Sequence, residues 1–212
     1  MMKAPTDLVP FDGPAVLQGE LRHQPLTQAD YGAMKRATQS RKDSRAWRDT
    51  LLLMTLRGTG LRIGEVRALE VRHIGRHGPV YVVFIQREKK RGKAEWESLP
   101  IAPALGQGLV EYVKGQHMEP NARVFGLSLA QIRNIVYAAG NAALGHPVPP
   151  KALRDLYSST VNEIATVLLH TSVTWLNVAG KMMGHVNPRT TWNFYSRLTM
   201  EQKVAIQEDI ET

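Results

Sequence analysis

The proline pair Pro149-Pro150 constrains the fold of this 212-residue chain more than any other feature. Two consecutive prolines cannot lie inside a helix, whereas proline is favoured in a helix's first turn. We therefore expect a loop over 140–150 and then a helix from Lys151 to about Leu169. Residues three apart lie on one helix face, so Lys151 and Arg154 should point the same way. Such a cation pair is typical of a solvated surface, but it would also suit an anion-binding site.

A second helix boundary lies at Gly58-Thr59-Gly60, where the glycines end one helix and Leu61–Leu69 begins another. Arg62 falls in the first turn of the new helix, where free backbone N–H groups favour an anion. Glu65 follows three residues later and could orient the Arg62 guanidinium. An exposed ion pair worth about 0.3–0.5 kcal/mol is the alternative interpretation.

Hydrophobic periodicity elsewhere predicts a mostly helical domain with short strands. The β-branched runs 80–85 and 96–101 predict two strands, separated by a cationic hairpin tip over 87–93. Two helices are predicted before the strands: 28–39, with a Thr27–Asp30 capping box, and 45–57, capped by Ser44 with Trp47, Leu51 and Met54 buried. Two more follow the strands. Helix 103–115 should bury Leu105, Leu109, Tyr112 and Val113, and a helix capped by Ser128 should bury Ile132, Ile135, Val136 and Ala139.

Net charge, the lengths of apolar runs and the absence of cysteine indicate which classes of function this chain can have. A net charge of +8 and a pI near 9.9, without a Lys/Arg-rich tail, predict a basic surface that attracts polyanions, nucleic acid before anionic membrane. A basic enzyme with no special partner is the plainer alternative. No apolar run approaches the roughly 20 residues that span a bilayer. The absence of cysteine excludes disulfides, cysteine-bound zinc and a thiol nucleophile, and it fits the cytoplasm.

The order of motifs resembles the catalytic domain of the tyrosine recombinase (phage integrase) family over about residues 27–200. The block Thr59–Leu69 resembles that family's first-arginine motif, T-G-[LM]-R-[IVL]-[SG]-E-[LV]-x-x-L. A strand pair with a lysine near its turn comes next, and Lys151-x-x-Arg154 stands where the family usually has His-x-x-Arg. The terminal block is similar too, with Gly184-His185 ten residues before a tyrosine nucleophile, Tyr195.

The resemblance implies a catalytic set, listed by position as Arg62, Lys90, Lys151, Arg154, His185 and Tyr195. The arginines would bind the phosphate oxygens, His185 would add a hydrogen bond, and Lys151 would act as a donor or proton carrier. Lys90 would protonate the 5′-oxygen that leaves, with Lys93 and Lys89 as alternatives. No metal and no cofactor are implied. Tyr137 and Tyr157 are rival nucleophiles that we expect to pack in the core.

Several positions depart from the family pattern. Lys151 replaces the usual histidine, a variant known among archaeal recombinases and in type IB topoisomerases. Asp155 stands where a second histidine is usual, and it could orient Arg154 or face solvent. The stretch from Arg154 to His185 is longer than usual by about two helical turns, and the stretch from His185 to Tyr195 has one extra residue. Residues 1–26 are too short for the family's N-terminal DNA-clamping domain, so we expect either a catalytic fragment or a minimal member.

The resemblance implies an α+β fold, predominantly helical, with a small three-stranded antiparallel sheet. We expect an extended lead-in over 1–26 and a DNA breaking and rejoining domain over 27–212. The implied function is site-specific recombination of a mobile element in the cytoplasm, at the nucleoid. Its partners would be double-stranded DNA and further copies of the chain, as a dimer or tetramer, with no membrane and no small-molecule substrate. A type IB topoisomerase and a non-catalytic DNA-binding protein are the alternatives.

Overall fold

The fold is predominantly helical with one small antiparallel sheet, as expected. The computed structural model describes residues 25–88 and 94–169. Within those ranges the elements are helices α1 (Gln28–Gln39), α2 (Ala46–Thr59) and α3 (Ile63–Ala68), a 3-10 turn (Val71–His73), strands β1 (Ile74–His77), β2 (Val80–Glu88) and β3 (Ala94–Ile101), and helices α4 (Pro103–Gly115), α5 (Leu129–Leu144) and α6 (Pro150–Leu169).

Side-chain caps fix the start of two helices where the sequence predicted them. The Thr27 hydroxyl accepts a hydrogen bond from the Asp30 amide at 3.1 Å, and the Asp30 carboxylate accepts from the Thr27 amide at 2.9 Å. Hydrogen bonds from the Thr27 hydroxyl and backbone lower the pKa of the Asp30 carboxyl group. Ser128 and Gln131 form the same reciprocal pair at the start of α5.

The sheet has the strand order β1-β2-β3, with antiparallel neighbours throughout. Val83 of β2 lies opposite Ile74 on one side and Leu99 on the other, so its side chain enters the core. Phe84 and Trp96 lie on the outer face and are exposed. The two longer strands are confirmed, whereas no sequence pattern had assigned β1 to particular residues.

Helix α2 is the centre of the core. Leucines at 51, 52, 53 and 56 are at most 2% exposed, so the helix is buried on nearly all sides. Helices α1, α4 and α6 pack around it, and α4 also covers the sheet. The close approach of α4 to β2 depends on Gly106, since a Cβ there would lie 2.2 Å from the Tyr81 ring.

Predictions for the start of α2 were wrong in two respects. Ser44 does not cap the helix, because the Asp43 carboxylate accepts from the Arg45 amide at 2.8 Å and the helix begins at Ala46. Trp47 is 45% exposed rather than buried. It lies in the first turn, where it meets the Tyr112 ring edge to face at 5.6 Å. Met54 is only partly buried.

The predicted loop over 140–150 was also wrong in part. Helix α5 continues to Leu144 and ends at Gly145, which has a left-handed φ of 77°. Gly140 is a packing position inside the helix, where a Cβ would lie 2.7 Å from the Val148 amide nitrogen. Ile135 and Tyr112, predicted in the core, are partly buried and pack against it. No helix in the described ranges has both the length and the apolar content to cross a membrane.

Candidate active site

Helix α6 carries the two cations of the Lys-x-x-Arg motif beside a buried stripe. Leu153, Tyr157 and Val161, spaced four apart, are fully buried. Arg154 lies on the flank of this stripe and is half-buried. Its guanidinium Nη1 donates a hydrogen bond to the Gly60 carbonyl oxygen at 2.7 Å. This contact joins positions 94 residues apart in the chain and fixes Arg154 against the turn between α2 and α3.

The Gly60 turn makes that approach possible. Gly60 has a left-handed backbone, with φ 61° and ψ 17°, which favours glycine. A Cβ at Gly60 would lie 2.3 Å from Cδ1 of Tyr157, so the tyrosine ring occupies the space of the missing side chain. Helix α6 therefore packs directly on the turn, and Arg154 lies beside a residue only two positions before Arg62.

Arg62 is the N-cap residue of α3 and projects from the end of the turn. The Glu65 carboxylate accepts a hydrogen bond from the Arg62 amide at 2.7 Å, and its other oxygen lies 3.5 Å from the guanidinium Nη1. The Arg62 side chain is 58% exposed, whereas that of Glu65 is 17% exposed. The predicted contact between Glu65 and Arg62 is present, and as an exposed ion pair it also matches the alternative interpretation.

Lys151 forms an ion pair with Asp155, a contact that the sequence analysis did not predict. Its Nζ donates to the Asp155 carboxylate at 2.5 Å, one helical turn further along α6. Both side chains are exposed, at 79% and 55%. Asp155 had been expected either to orient Arg154 or to face solvent; it is exposed, as the second alternative states, and its partner is Lys151. The spacing of four residues was the signal that could have predicted this pair.

Sequence reasoning missed Arg57, one of the largest fully buried side chains in the described part of the chain. Its Nη2 donates to the Gln28 side-chain oxygen at 2.9 Å and to the Thr160 hydroxyl at 2.8 Å. It thereby joins α1, α2 and α6, and α6 carries Lys151 and Arg154. An arginine next to the apolar run 51–56, just before the glycine turn, was the available signal.

The remaining predicted residues, Lys90, His185 and Tyr195, lie outside the described residues, as do Lys89 and Lys93. The structure therefore places Arg154 against the turn that precedes Arg62, and Lys151 on the same helix as Arg154. Of the rival tyrosines, Tyr157 is fully buried, as expected, and Tyr137 is half-buried. Within residues 25–88 and 94–169, no three His, Asp or Glu side chains cluster closely enough to hold a metal ion.

Comparison with solved structures identifies the fold of this chain. XerA recombinase superimposes with a TM-score of 0.57 at 17% identity, over 84% of this chain and 62% of that one. The integrase from mycobacterium phage Brujita gives 0.60 at 13% identity, over 88% and 57%. The chain has the tyrosine recombinase fold. The lambda integrase catalytic core gives 0.52 at 20% identity, over 76% of this chain and 94% of that one.

The tyrosine recombinase fold is shared at sequence identities of 13–21%. XerH recombinase bound to its difH substrate is similar at a TM-score of 0.57 and 18% identity, over 76% of this chain and 47% of that one. The chain spans 46–62% of the length of XerA and XerH. No model of a known protein family matches the sequence. No curated protein is significantly similar to it in sequence.

Proposed function

We propose that this chain is a site-specific DNA recombinase that cuts and rejoins DNA through a 3′-phosphotyrosine, without metal or ATP. The observation that supports it most is the contact between Arg154 and the Gly60 carbonyl. This contact sets the arginine of the Lys-x-x-Arg motif beside the turn that carries Arg62, within a tyrosine recombinase fold. We infer that the two guanidinium groups bind one phosphate, because each can donate two parallel hydrogen bonds and stays charged.

The chemistry follows from the needs of a phosphodiester. Arg62 and Arg154 donate to the non-bridging oxygens, where negative charge grows as the pentacoordinate state forms. Lys151 and His185 add donors to the same phosphate. Neither guanidinium can serve as a base at neutral pH, so both arginines stabilise charge and do not move protons.

Tyr195 is the proposed nucleophile. Its phenolic proton passes to solvent water as the oxygen forms a bond to phosphorus, and the bond from phosphorus to the 5′-oxygen breaks. The departing 5′-oxygen takes a proton from a hairpin lysine, Lys90 in our assignment, with Lys89 and Lys93 as alternatives. One phosphodiester replaces another, so a 5′-hydroxyl can reverse the reaction without ATP. The rival Tyr157 has no route to a phosphate because it is fully buried.

The partners of the proposed enzyme are duplex DNA and other copies of the chain. XerH was solved on its difH substrate, and lambda integrase as a dimer on a core site and as a tetramer on a Holliday junction. Integration and excision join two DNA sites, which favours a dimer or tetramer on DNA for this chain as well. The net charge of +8 suits that partner, and the nucleoid in the cytoplasm is the proposed location.

Covalent capture tests the proposal. The protein is incubated with a library of randomised duplexes that carry a nick, so that the short cleaved end diffuses away and traps the adduct. We expect a denaturant-resistant protein–DNA adduct, whose linked peptide contains Tyr195 by mass spectrometry. The same library without nicks is the control and should give little adduct. A linkage to another residue, or no adduct at all, contradicts the proposal.

The captured DNA then separates recombinase from topoisomerase. Two DNAs that carry the recovered sequence are incubated together with the protein. Strand exchange between them is the expected result. Relaxation of a plasmid that lacks the sequence, without exchange, would instead identify a type IB topoisomerase, the activity that the lysine at 151 also fits. Sequence-specific binding with neither activity would identify a non-catalytic DNA-binding protein.

Salt should weaken DNA binding steeply. Each phosphate that a Lys or Arg neutralises releases counterions, so the logarithm of the association constant falls linearly with the logarithm of salt concentration. For about six phosphate contacts, affinity should fall by about 10³-fold between 50 and 200 mM salt. Fluorescence anisotropy with a labelled duplex measures the slope. A slope near zero would contradict the predicted basic surface.

A further inference from the structure

We infer that Asp155 is a positioning residue for Lys151, which it holds as a fixed hydrogen-bond donor to the DNA phosphate. The inference rests on the proposed function and assigns the lysine one of its two possible roles. The ion pair lies on the first two turns of α6, where Lys151 Nζ is 2.5 Å from the Asp155 carboxylate.

The pair is poorly placed to stabilise the helix. Lys151 is the second residue of α6, and a cation at a helix N-terminus opposes the helix dipole. The first turn of α6 contains no acidic residue that would offset this. The order lysine then acid at this spacing is also the weaker of the two orders. Both side chains are largely exposed, so the pair contributes little to stability.

The geometry gives the pair a use at the phosphate. A lysine ammonium has three N–H donors on a flexible stem with many rotamers. The hydrogen bond to Asp155 uses one of the three N–H donors and restricts the rotamers of the Lys151 side chain. The other two N–H donors remain available to a phosphate. Lys151 and Arg154 are three residues apart on α6, so the free donors lie on the side of the helix that carries the arginine. A lysine held in place in this way donates to an oxygen that Arg154 also binds.

A different role for Asp155 predicts the opposite effect on the reaction. A carboxylate near a bound phosphate repels it, so Asp155 could simply weaken DNA binding. Removing the charge would then strengthen binding and leave the rate at saturating DNA unchanged or faster. If Asp155 positions Lys151, removing it leaves binding equal or tighter and slows the rate at saturating DNA. The rate at saturation therefore distinguishes the two roles.

The experiment compares Asp155→Asn with the wild-type protein on the nicked duplex recovered by covalent capture. Adduct formation is followed in single turnover over a range of DNA concentrations. We expect the maximal rate to fall about tenfold, as misplacement of a reacting group by a fraction of an ångström does. The half-saturating DNA concentration should stay equal or fall. The thermal midpoint should shift by less than about 2 °C, because the pair is exposed.

Three further variants identify the cause. Asp155→Glu keeps the carboxylate and should recover the rate to within about threefold of wild type. Asp155→Asn should have no further effect in a Lys151→Ala background, because the interaction is already gone. Glu111→Gln is the matched control, since Glu111 is an exposed helical acid that accepts a hydrogen bond from Gln107 at 2.8 Å. It removes the same charge and should leave the rate unchanged.

The outcomes separate this inference from the proposed function. If wild type forms no adduct, the proposed function fails and the inference fails with it. If wild type forms the adduct and Asp155→Asn matches or exceeds its maximal rate, only the inference is wrong. An equal loss in the Lys151→Ala background would also overturn it, because Asp155 would then act without the lysine.

Discussion

Replacing Arg154 with alanine should lower the maximal rate of adduct formation by about 10³-fold, the loss expected for one donor to a developing oxyanion. The guanidinium is half-buried and fixed by the Gly60 carbonyl at 2.7 Å, so it needs little rearrangement to meet a phosphate. Alanine removes both the positive charge and the two parallel N–H donors of the guanidinium group. Single-turnover adduct formation on the captured nicked duplex measures the effect at saturating DNA.

Two variants control for simpler causes of that loss. Arg154→Lys keeps the charge but loses the bidentate fork, so its rate should lie between those of wild type and the alanine variant. Arg133→Ala removes an exposed arginine on α5 and should change the rate by less than about twofold, because surface charge acts through binding. Thermal unfolding of each variant shows whether the fold survives. A folded Arg154→Ala variant that cleaves at the wild-type rate would contradict the assignment of Arg154.

Local patterns in the sequence were sufficient for most elements of the fold. The capping box at Thr27, the cap at Ser128 and the helix 103–115 needed only neighbouring residues, and the structure confirms them. The orientation of Arg62 by Glu65 was predictable for the same reason, since three residues on a helix bring the two side chains together. Each of these features depends on contacts within one or two helical turns.

Features that depend on distant residues could not be predicted in this way. The bond from Arg154 to Gly60 spans 94 positions, and the bond from Arg57 to Thr160 spans 103. The apolar run 51–56 before Arg57 indicates a buried position, but the partners Gln28 and Thr160 are distant in sequence, so the pattern does not predict them. Trp47 is the opposite case, a residue predicted to be buried that is exposed. Its spacing fits the buried stripe of α2, but it lies in the first turn of that helix, where the Tyr112 ring covers part of it. The prediction that Arg62 and Arg154 belong to one site came from the resemblance to the family, since periodicity within single helices does not relate distant residues.

Replacing Gly60 with alanine should lower the free energy of unfolding by about 3 kcal/mol. A left-handed backbone costs an alanine about 1 kcal/mol, and overpacking a filled core site costs about 1–3 kcal/mol more. Both apply here, because φ is 61° and the new Cβ would lie 2.3 Å from Cδ1 of the buried Tyr157. For a domain of this size the thermal midpoint should fall by about 10 °C, measured by circular dichroism.

Gly126→Ala is the matched control for that variant. Gly126 has a φ of 60°, and no atom lies within 4 Å of an added Cβ, so only the backbone cost of about 1 kcal/mol applies. The difference between the two variants measures the contact between the turn and the Tyr157 ring. If Gly60→Ala cost no more than Gly126→Ala, α6 would not pack on the turn as described. Because that packing also brings Arg154 to the Gly60 carbonyl, folded Gly60→Ala protein should cleave more slowly, whereas Gly126→Ala should not.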